Sequence, residues 1–433
     1  MSRKNCFLSK LVLIFMIAVF FTGCAGKSSF SSIKDNNSFL SINSIDKSPQ
    51  EVFLSAWDIL KEEYLEKNLN HQDWTKWKER YLGRIKTKED SYVAINTMIE
   101  SLNDPYTRFL SPYDFAEQTR SIDAKLFGIG VHIAKVKDRV VIIDVIADTP
   151  AKKAGLKPGD IILKVNNVST KGQDSRHIAD KVRGKANTPV NLLILRGKQQ
   201  INFRVIRKEI NLKSVEYKIL KGNIAYIRIS SFLSAETSSE MLKALKATAQ
   251  AKGVIIDLRG NQGGLLPNAI LIANMFMNSG VIVSMVDRDD EKKVIKADPG
   301  DGIDERPLIV LINQGSASAS EILGGALRDN KRAILVGQKS FGKGLVQRVH
   351  RLPDGSGINI TIAKYLTPNG TDINKKGIKP DYTVKFTEKD FLSKKDPQLD
   401  KAEQVLMLEV VKQKAITKLD SIAKVPSKKM YCR

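Results

Sequence analysis

The apolar positions of the chain fall into three successive patterns. From Pro49 to about Leu102 they recur at helical spacing: Val52, Phe53, Ala56, Ile59 and Leu60, then Trp74, Trp77, Tyr81 and Ile85, then Val93, Ile95, Met98 and Ile99. This spacing predicts a small helical N-terminal region (50–115) with its tryptophans in the core, ending in a turn-rich connector from Asp104 to Phe115. Over 116–208 short strands take over, at 130–134, 139–145, 161–165, 190–195 and 201–206, with one helix at 178–182. Over 209–390 buried strands (224–229, 254–258, 281–285, 308–312, 333–336) alternate with helices (268–278, 317–328), which predicts an α/β domain. In the C-terminal region, 391–433, an amphipathic helix is expected over 398–419, able to pack on that domain or to pair with a second subunit.

The start of the chain breaks these patterns. Arg3, Lys4 and Lys10 precede an unbroken apolar run from Leu11 to Phe21, then Thr22-Gly23-Cys24, the layout of a secretory signal. The run is shorter than the about 20 residues a membrane span needs. Phe21-Thr-Gly-Cys24 resembles the lipobox of bacterial lipoproteins, with Phe21 where Leu is usual. That resemblance implies removal of residues 1–23, lipidation of Cys24 and an extracytoplasmic, membrane-anchored chain on the periplasmic face or cell surface. Ordinary secretion and an uncleaved anchor are the other readings. Residues 24–49, rich in Ser, Asn and Lys, are expected to be a flexible tether.

Composition narrows the partners. The net charge of +23 comes from basic residues that are scattered rather than clustered, and no nucleic-acid-binding motif accompanies them, so an anionic membrane surface suits them better than a nucleic acid. Three cysteines, at 6, 24 and 432, make neither a disulfide framework nor a metal-ligand pattern. The acidic stretch Asp287–Asp290 and the loop 298–304 lack calcium-loop spacing and read as solvated. No metal or other cofactor is implied.

Phe127-Gly-Ile-Gly-Val131 opens a strand. Successive N–H groups of such a loop can nest a peptide carboxylate, while the strand edge takes the peptide as an added strand. Together with Ala147-Asp-Thr-Pro-Ala151, Ala154-Gly-Leu156 and Pro158-Gly-Asp-Ile161, this segment resembles a PDZ domain. The resemblance makes Phe127, Gly128, Ile129, Gly130 and Val131 the carboxylate-binding loop. His132 and His177 read as incidental.

Candidate chemistry concentrates where the apolar strand 308–312 turns through Asn313-Gln-Gly into Ser316-Ala-Ser318-Ala-Ser320-Glu321. A serine at the mouth of a helix has nearby N–H groups and a positive dipole end, as acyl transfer requires. Ser318 with Glu321 is equally a capping box. A serine nucleophile needs a base. His350, in an Arg-Val-His-Arg segment, reads as an exposed strand residue. Lys343, in Ser340-Phe-Gly-Lys-Gly344, serves only if burial keeps it neutral, with Phe341 and Leu345 as apolar cover. Locally, a cap and a turn lysine remain the simpler readings.

Three motifs change that balance. Asn313 to Glu321, Gly337-Gln-Lys-Ser-Phe-Gly-Lys-Gly-Leu-Val-Gln347 and Asp257-Leu-Arg-Gly-Asn-Gln-Gly-Gly264 resemble those of the C-terminal processing, or tail-specific, serine peptidases. Asp104-Pro-Tyr-Thr-Arg108, Tyr365-Leu-Thr-Pro-Asn-Gly370, Gly377-Ile-Lys-Pro-Asp381 and the position of the PDZ module extend the likeness over almost all the chain after the tether. Ser340 and Gln262 stand where Thr and Pro are common. The resemblance implies a crotonase/ClpP-like α/β catalytic core with an inserted, mainly-β PDZ domain. It makes Ser318 the nucleophile, Lys343 the general base, Gln347 the residue that orients the lysine, and Ala319 with Gly263 or Gly264 the oxyanion hole. The implied activity is endoproteolysis of extracytoplasmic proteins recognised by their free C-terminal tails. A non-catalytic PDZ adaptor lipoprotein and a crotonase-type acyl-CoA enzyme are the rival classes; a homodimer and a partner adaptor protein stay open.

Overall fold

The computed structural model describes residues 48–122, 125–211, 213–393 and 395–423. All three cysteines, and with them the expected signal, lipidation site and most of the tether, lie outside these residues. No helix among the described residues is long and apolar enough to cross a membrane.

Three helices open the described chain: α1 (Pro49–Glu63), α2 (Trp74–Tyr81) and α3 (Lys88–Glu100). Capping boxes start two of them, Ser48 with Glu51 and Thr87 with Asp90. Phe53, Ala56 and Leu60 bury against Ile95 and Met98, and the Trp57 and Trp74 indoles donate to each other's backbone carbonyls at 2.8 and 3.1 Å. Val93, counted in the periodic set, faces solvent. The expected connector is more ordered than its turn signals suggest. It holds strand β1 (Arg108–Leu110) and enters helix α4 (Pro112–Ile122).

Residues Thr119–Lys213 make one compact unit. It contains β2 (Lys125–Gly128), β3 (Val131–Val136), β4 (Arg139–Val145), α5 (Pro150–Ala154), β5 (Ile161–Val165), β6 (Val168–Ser169), α6 (Ser175–Val182), β7 (Pro189–Arg196), β8 (Gln199–Ile206) and β9 (Lys208–Asn211). An antiparallel sheet runs β3-β4-β5-β7-β8 with β6 on β5, and β2 pairs with β9. Alternate residues of β7, Val190, Leu192 and Ile194, enter the core with Ile142, Ile162 and Ile178, the period of two expected of a sheet with one solvated face.

The other unit joins residues up to Gln118 to Ser214–Arg433. Its second part continues with β10 (Val215–Leu220), β11 (Ile224–Ile229), α7 (Thr237–Ala247), β12 (Val254–Asp257), α8 (Leu266–Asn274), β13 (Val281–Asp287) and β14 (Lys292–Lys296). Then follow β15 (Leu308–Ile312), α9 (Ala319–Asp329), β16 (Ile334–Gly337), β17 (Leu345–Arg351), β18 (Gly357–Leu366), β19 (Tyr382–Thr383), α10 (Glu388–Leu392) and α11 (Pro397–Ala423).

The six-stranded sheet has the order β10-β11-β12-β15-β16-β19 and is parallel from β11 onward. Both faces are covered, which is why its central strands are apolar throughout. Val254, Ile256, Val310 and Ile312 pack toward α7, α8 and α9, whereas Ile255, Ile309 and Leu311 pack against Ala402, Val405 and Leu406 of α11. In the second sheet β18 pairs with β1, β13 and β17. Ile358 and Ile360 of β18 enter the core of α1–α3, so the N-terminal helices do not fold around a core of their own.

Candidate active site

Three adjacent parallel strands, β12, β15 and β16, deliver the three motifs at their carboxyl ends, the side where open α/β sheets gather their chemistry. β12 leads to Gly263-Gly264, β15 to Ser318 and β16 to the loop carrying Lys343.

Ser318 sits at the N-cap of α9, but its backbone is not that of a cap. An N-cap serine is normally extended, which points its oxygen at the first-turn N–H groups. Ser318 has φ 56° and ψ −118°, a strained conformation for a residue with a Cβ. Its neighbours anchor it. Ser316 Oγ donates to Leu258 O and Ser320 Oγ to Asn261 O, both at 2.8 Å, and Ala317 N–H donates to Asn261 O at 3.0 Å. Two of the three serine hydroxyls are thus spent on structure. The third, Ser318 Oγ, is buried without a hydrogen-bond partner among the described residues.

Glu321 accounts for the rest of the capping pattern. Its Oε2 accepts from Ser318 N–H at 3.0 Å and from Lys343 N–H at 2.9 Å; its Oε1 accepts from Ser340 Oγ at 2.5 Å and Gly342 N–H at 2.8 Å. One buried carboxylate therefore ties the serine turn to the lysine loop. Burial pushes its carboxyl above the usual range, and the four donors work against that push. The Tyr365 hydroxyl makes a second tie, lying in hydrogen-bond range of both the Ser318 and Lys343 carbonyl oxygens.

Lys343 is 5% exposed, and its Nζ lies 5.0 Å from the Tyr106 ring centroid. Burial, helped by the charge of Arg108 and opposed by Asp104 and Glu321, lowers its pKa from 10.5 to about 8. The shift corresponds to roughly 3 kcal/mol, enough to leave about a tenth of the lysine neutral at pH 7. The cover is not what the local sequence suggested. Phe341 is 47% exposed, and Tyr106 of the former connector takes its place. Lys343 lies two residues before the start of β17, whose Gln347 lies opposite Thr361 of β18. Gln347 is fully buried; its Nε2 donates to Thr361 Oγ1 at 3.3 Å, and its Oε1 has no partner.

His350, expected as an exposed strand residue, is half-buried: its Nε2 lies 3.0 Å from Glu63 Oε2, which also accepts from Arg348 at 2.6 Å. Its imidazole is engaged with the end of α1.

Ala319 is the first residue of α9, so its N–H has no intrahelical acceptor. Gly263 (φ 99°) must be glycine, since a Cβ there would lie 2.8 Å from Ser318 Cβ and 2.9 Å from Ala319 N. Its N–H, however, is already donated to Asn261 Oδ1 at 2.9 Å. Its carbonyl accepts from Phe232 N–H at 2.9 Å, so the planar trans peptide directs the Gly264 N–H to the opposite side.

In the PDZ-like unit, Phe127, Gly128, Ile129, Gly130 and Val131 line a cavity of about 130 Å³ together with residues of α6. The Ile129 side chain is buried in the core. Gly130 has φ 83°, and a Cβ there would lie 2.3 Å from Thr149 Cβ. Among the described residues β3 pairs only with β4, leaving its other edge unpaired in the sheet. His132 of β3 lines the same cavity.

Sequence reasoning placed Glu321 only as a cap partner and gave Asp104–Arg108 no role. A glutamate inside an otherwise apolar helical stretch is the available signal for the first; for the second the resemblance marks the segment but assigns it no role, because the contact of Asp104 with Thr361 crosses 257 residues of chain.

A model of peptidase family S41 matches residues 223–384, and a PDZ-domain model matches 141–196. The carboxyl-terminal-processing protease of Synechocystis is 39% identical over 346 residues, covering 77% of this chain and 81% of that protein. A probable CtpA-like serine protease of Staphylococcus aureus is 37% identical, covering 70% and 62%. Among solved structures, a photosystem II D1 C-terminal processing protease is 33% identical with a TM-score of 0.54, covering 78% and 93%. The chain therefore belongs to peptidase family S41, as a serine-type peptidase that carries a PDZ domain within an α/β catalytic core.

Proposed function

We propose that this peptidase cleaves extracytoplasmic proteins whose free C-terminal tails dock in the PDZ-like unit, and that it does so with Ser318 as nucleophile and neutral Lys343 as base. The observation that carries the assignment is the shared Glu321 Oε2, which takes the N–H of both residues. Ser318 Oγ attacks the scissile carbonyl carbon as its proton passes to Lys343 Nζ. The N–H groups of Ala319 and Gly264 receive the resulting oxyanion. Collapse breaks the C–N bond as the leaving amine takes the proton from Lys343; a water, deprotonated by the same lysine, then attacks the acyl carbon, the C–Oγ bond breaks, and Lys343 returns the proton to Ser318 Oγ. Gln347, whose buried amide oxygen has no partner among the described residues, is assigned to orient the amine without charging it. No step calls for a metal or other cofactor.

Tail recognition rests on the Phe127–Val131 loop beside the open edge of β3. A substrate with a free apolar C-terminus should be cut, and its amidated form cut far more slowly, because the loop's N–H groups then lose a carboxylate. Gly130→Ala should raise KM for the free-tail substrate about tenfold or more, with kcat for an untailed peptide retained. Equal rates on free and amidated tails would remove the tail-binding role.

The basic head, the apolar run 11–21 and Cys24 support export and a lipid anchor on the periplasmic face or cell surface. Mass spectrometry of the mature N-terminus should find Cys24 as the first residue, bearing acyl chains; an unmodified Met1 would contradict export by this route.

A further inference from the structure

The Gln347 amide can present either its oxygen or its NH2 group to the lysine, and the two choices have opposite effects. The oxygen accepts from a neutral amine and supports its role as base; the NH2 group repels an N–H and wastes the lone pair. The arrangement around Thr361 decides between them. Asp104 Oδ2 accepts from Thr361 Oγ1 and from Thr107 Oγ1, both at 2.7 Å, while Asp104 Oδ1 accepts from Tyr106 N–H at 2.9 Å. A carboxylate is acceptor only and a hydroxyl has one proton. The Thr361 proton is therefore committed to Asp104, and toward Gln347 the Thr361 oxygen can only accept. Thr107 is likewise committed: its proton goes to Asp104 and its oxygen takes Thr361 N–H at 3.0 Å. Neither hydroxyl can turn round, and Gln347 Nε2 is held on Thr361 at 3.3 Å. Its Oε1, buried and without a partner, is left on the far side of the amide.

We propose that Asp104 and Thr361 are positioning residues for the base: through this one-way chain of hydrogen bonds they fix the Gln347 amide with its oxygen available to Lys343. The inference rests on Lys343 being the base. Asp104 lies two residues from Tyr106, whose ring covers the amine. The charged groups facing Lys343 are Arg108, Asp104 and Glu321.

The test is Thr361→Val, which keeps the shape and removes the hydroxyl, compared with Thr361→Ser, Gln347→Ala, the Thr361→Val/Gln347→Ala double variant and Lys343→Ala, all in the full chain on a tail-bearing substrate. Thr361→Val should lower kcat roughly 10- to 100-fold with KM little changed, and Thr361→Ser should restore it to within about threefold. In the Gln347→Ala background Thr361→Val should cost nothing further, because no amide is left to orient. The acid limb of kcat against pH should move to lower pH in Thr361→Val, since a turned amide disfavours the ammonium. Simple loosening that admits water would move it to higher pH. Wild-type kcat in Thr361→Val, losses that multiply with those of Gln347→Ala, or a limb shifted upward would each overturn the proposal while Lys343→Ala stays inactive. If Lys343→Ala itself keeps wild-type kcat, the base assignment falls and the proposal with it.

Discussion

Ser318→Ala is expected to lower kcat/KM on a tail-bearing substrate by about 10^4-fold or more while leaving the chain as stable as before, within about 1 kcal/mol. The two halves of this expectation come from the same observation. Ser318 Oγ has no hydrogen-bond partner, so its removal strips nothing from the fold, whereas the hydroxyls of Ser316 and Ser320 each hold a carbonyl of the neighbouring 258–261 segment. The strained backbone at φ 56° remains in the alanine variant and costs the same. Ser316→Ala and Ser320→Ala should show the reverse pattern, losing stability before activity. Affinity for a tail peptide should be unchanged in Ser318→Ala. Thermal unfolding, peptide titration and turnover measured on the three variants separate these outcomes, and cleavage by Ser318→Ala at more than about a hundredth of the wild-type rate would remove the nucleophile assignment.

Glu321→Gln should be the most damaging near-isosteric change in the catalytic unit, costing about 3 kcal/mol of stability and about 100-fold in kcat. A carboxylate offers acceptors at both oxygens, and here each oxygen takes two donors. A glutamine replaces one oxygen by an NH2 group that faces two donors and can accept from neither. If the NH2 group lands at the Oε2 position, the N–H groups of Ser318 and Lys343 lose their shared acceptor and the proposed nucleophile and base separate. If it lands at Oε1, Ser340 and Gly342 lose theirs and the loop that buries Lys343 loosens. Both outcomes reach the chemistry. Ser340→Ala removes one donor of the four and should be several-fold milder. A Glu321→Gln chain with wild-type melting temperature and kcat would contradict the clamp.

How much of this was legible in the sequence depended on range. The strands 224–229 and 308–312 and the helix after Ser318 were readable because unbroken apolar runs and a cap pattern are local signals, and the structure places them at Ile224–Ile229, Leu308–Ile312 and Ala319–Asp329. The three motifs lie together in the structure: Gly263 lies against Ser318, and Glu321 joins Ser318 to Lys343. What could not be read was anything set by pairing across the chain. Asp104 meets Thr361 across 257 residues, and the turn signals around Asp104 therefore suggested only a connector. Phe341 looked like cover for Lys343 because the two are adjacent but for one glycine; its ring instead faces solvent. His350 looked exposed because nothing in Arg-Val-His-Arg announces Glu63. The choice between Gly263 and Gly264 was likewise closed to composition, since it turns on which N–H the Asn261 side chain already occupies.

The most direct test of Ser318 attacking with a neutral Lys343 beside it is the pH dependence of inactivation by a serine-directed fluorophosphonate, with the adduct located by peptide mass spectrometry. A single adduct on Ser318 is expected, forming at a rate that rises through a pKa of about 8. Lys343→Arg, whose guanidinium stays charged, should all but abolish it. An adduct on another residue, or a rate that rises near pH ~6.5 as an imidazole base would impose and survives Lys343→Arg, would contradict the serine–lysine assignment.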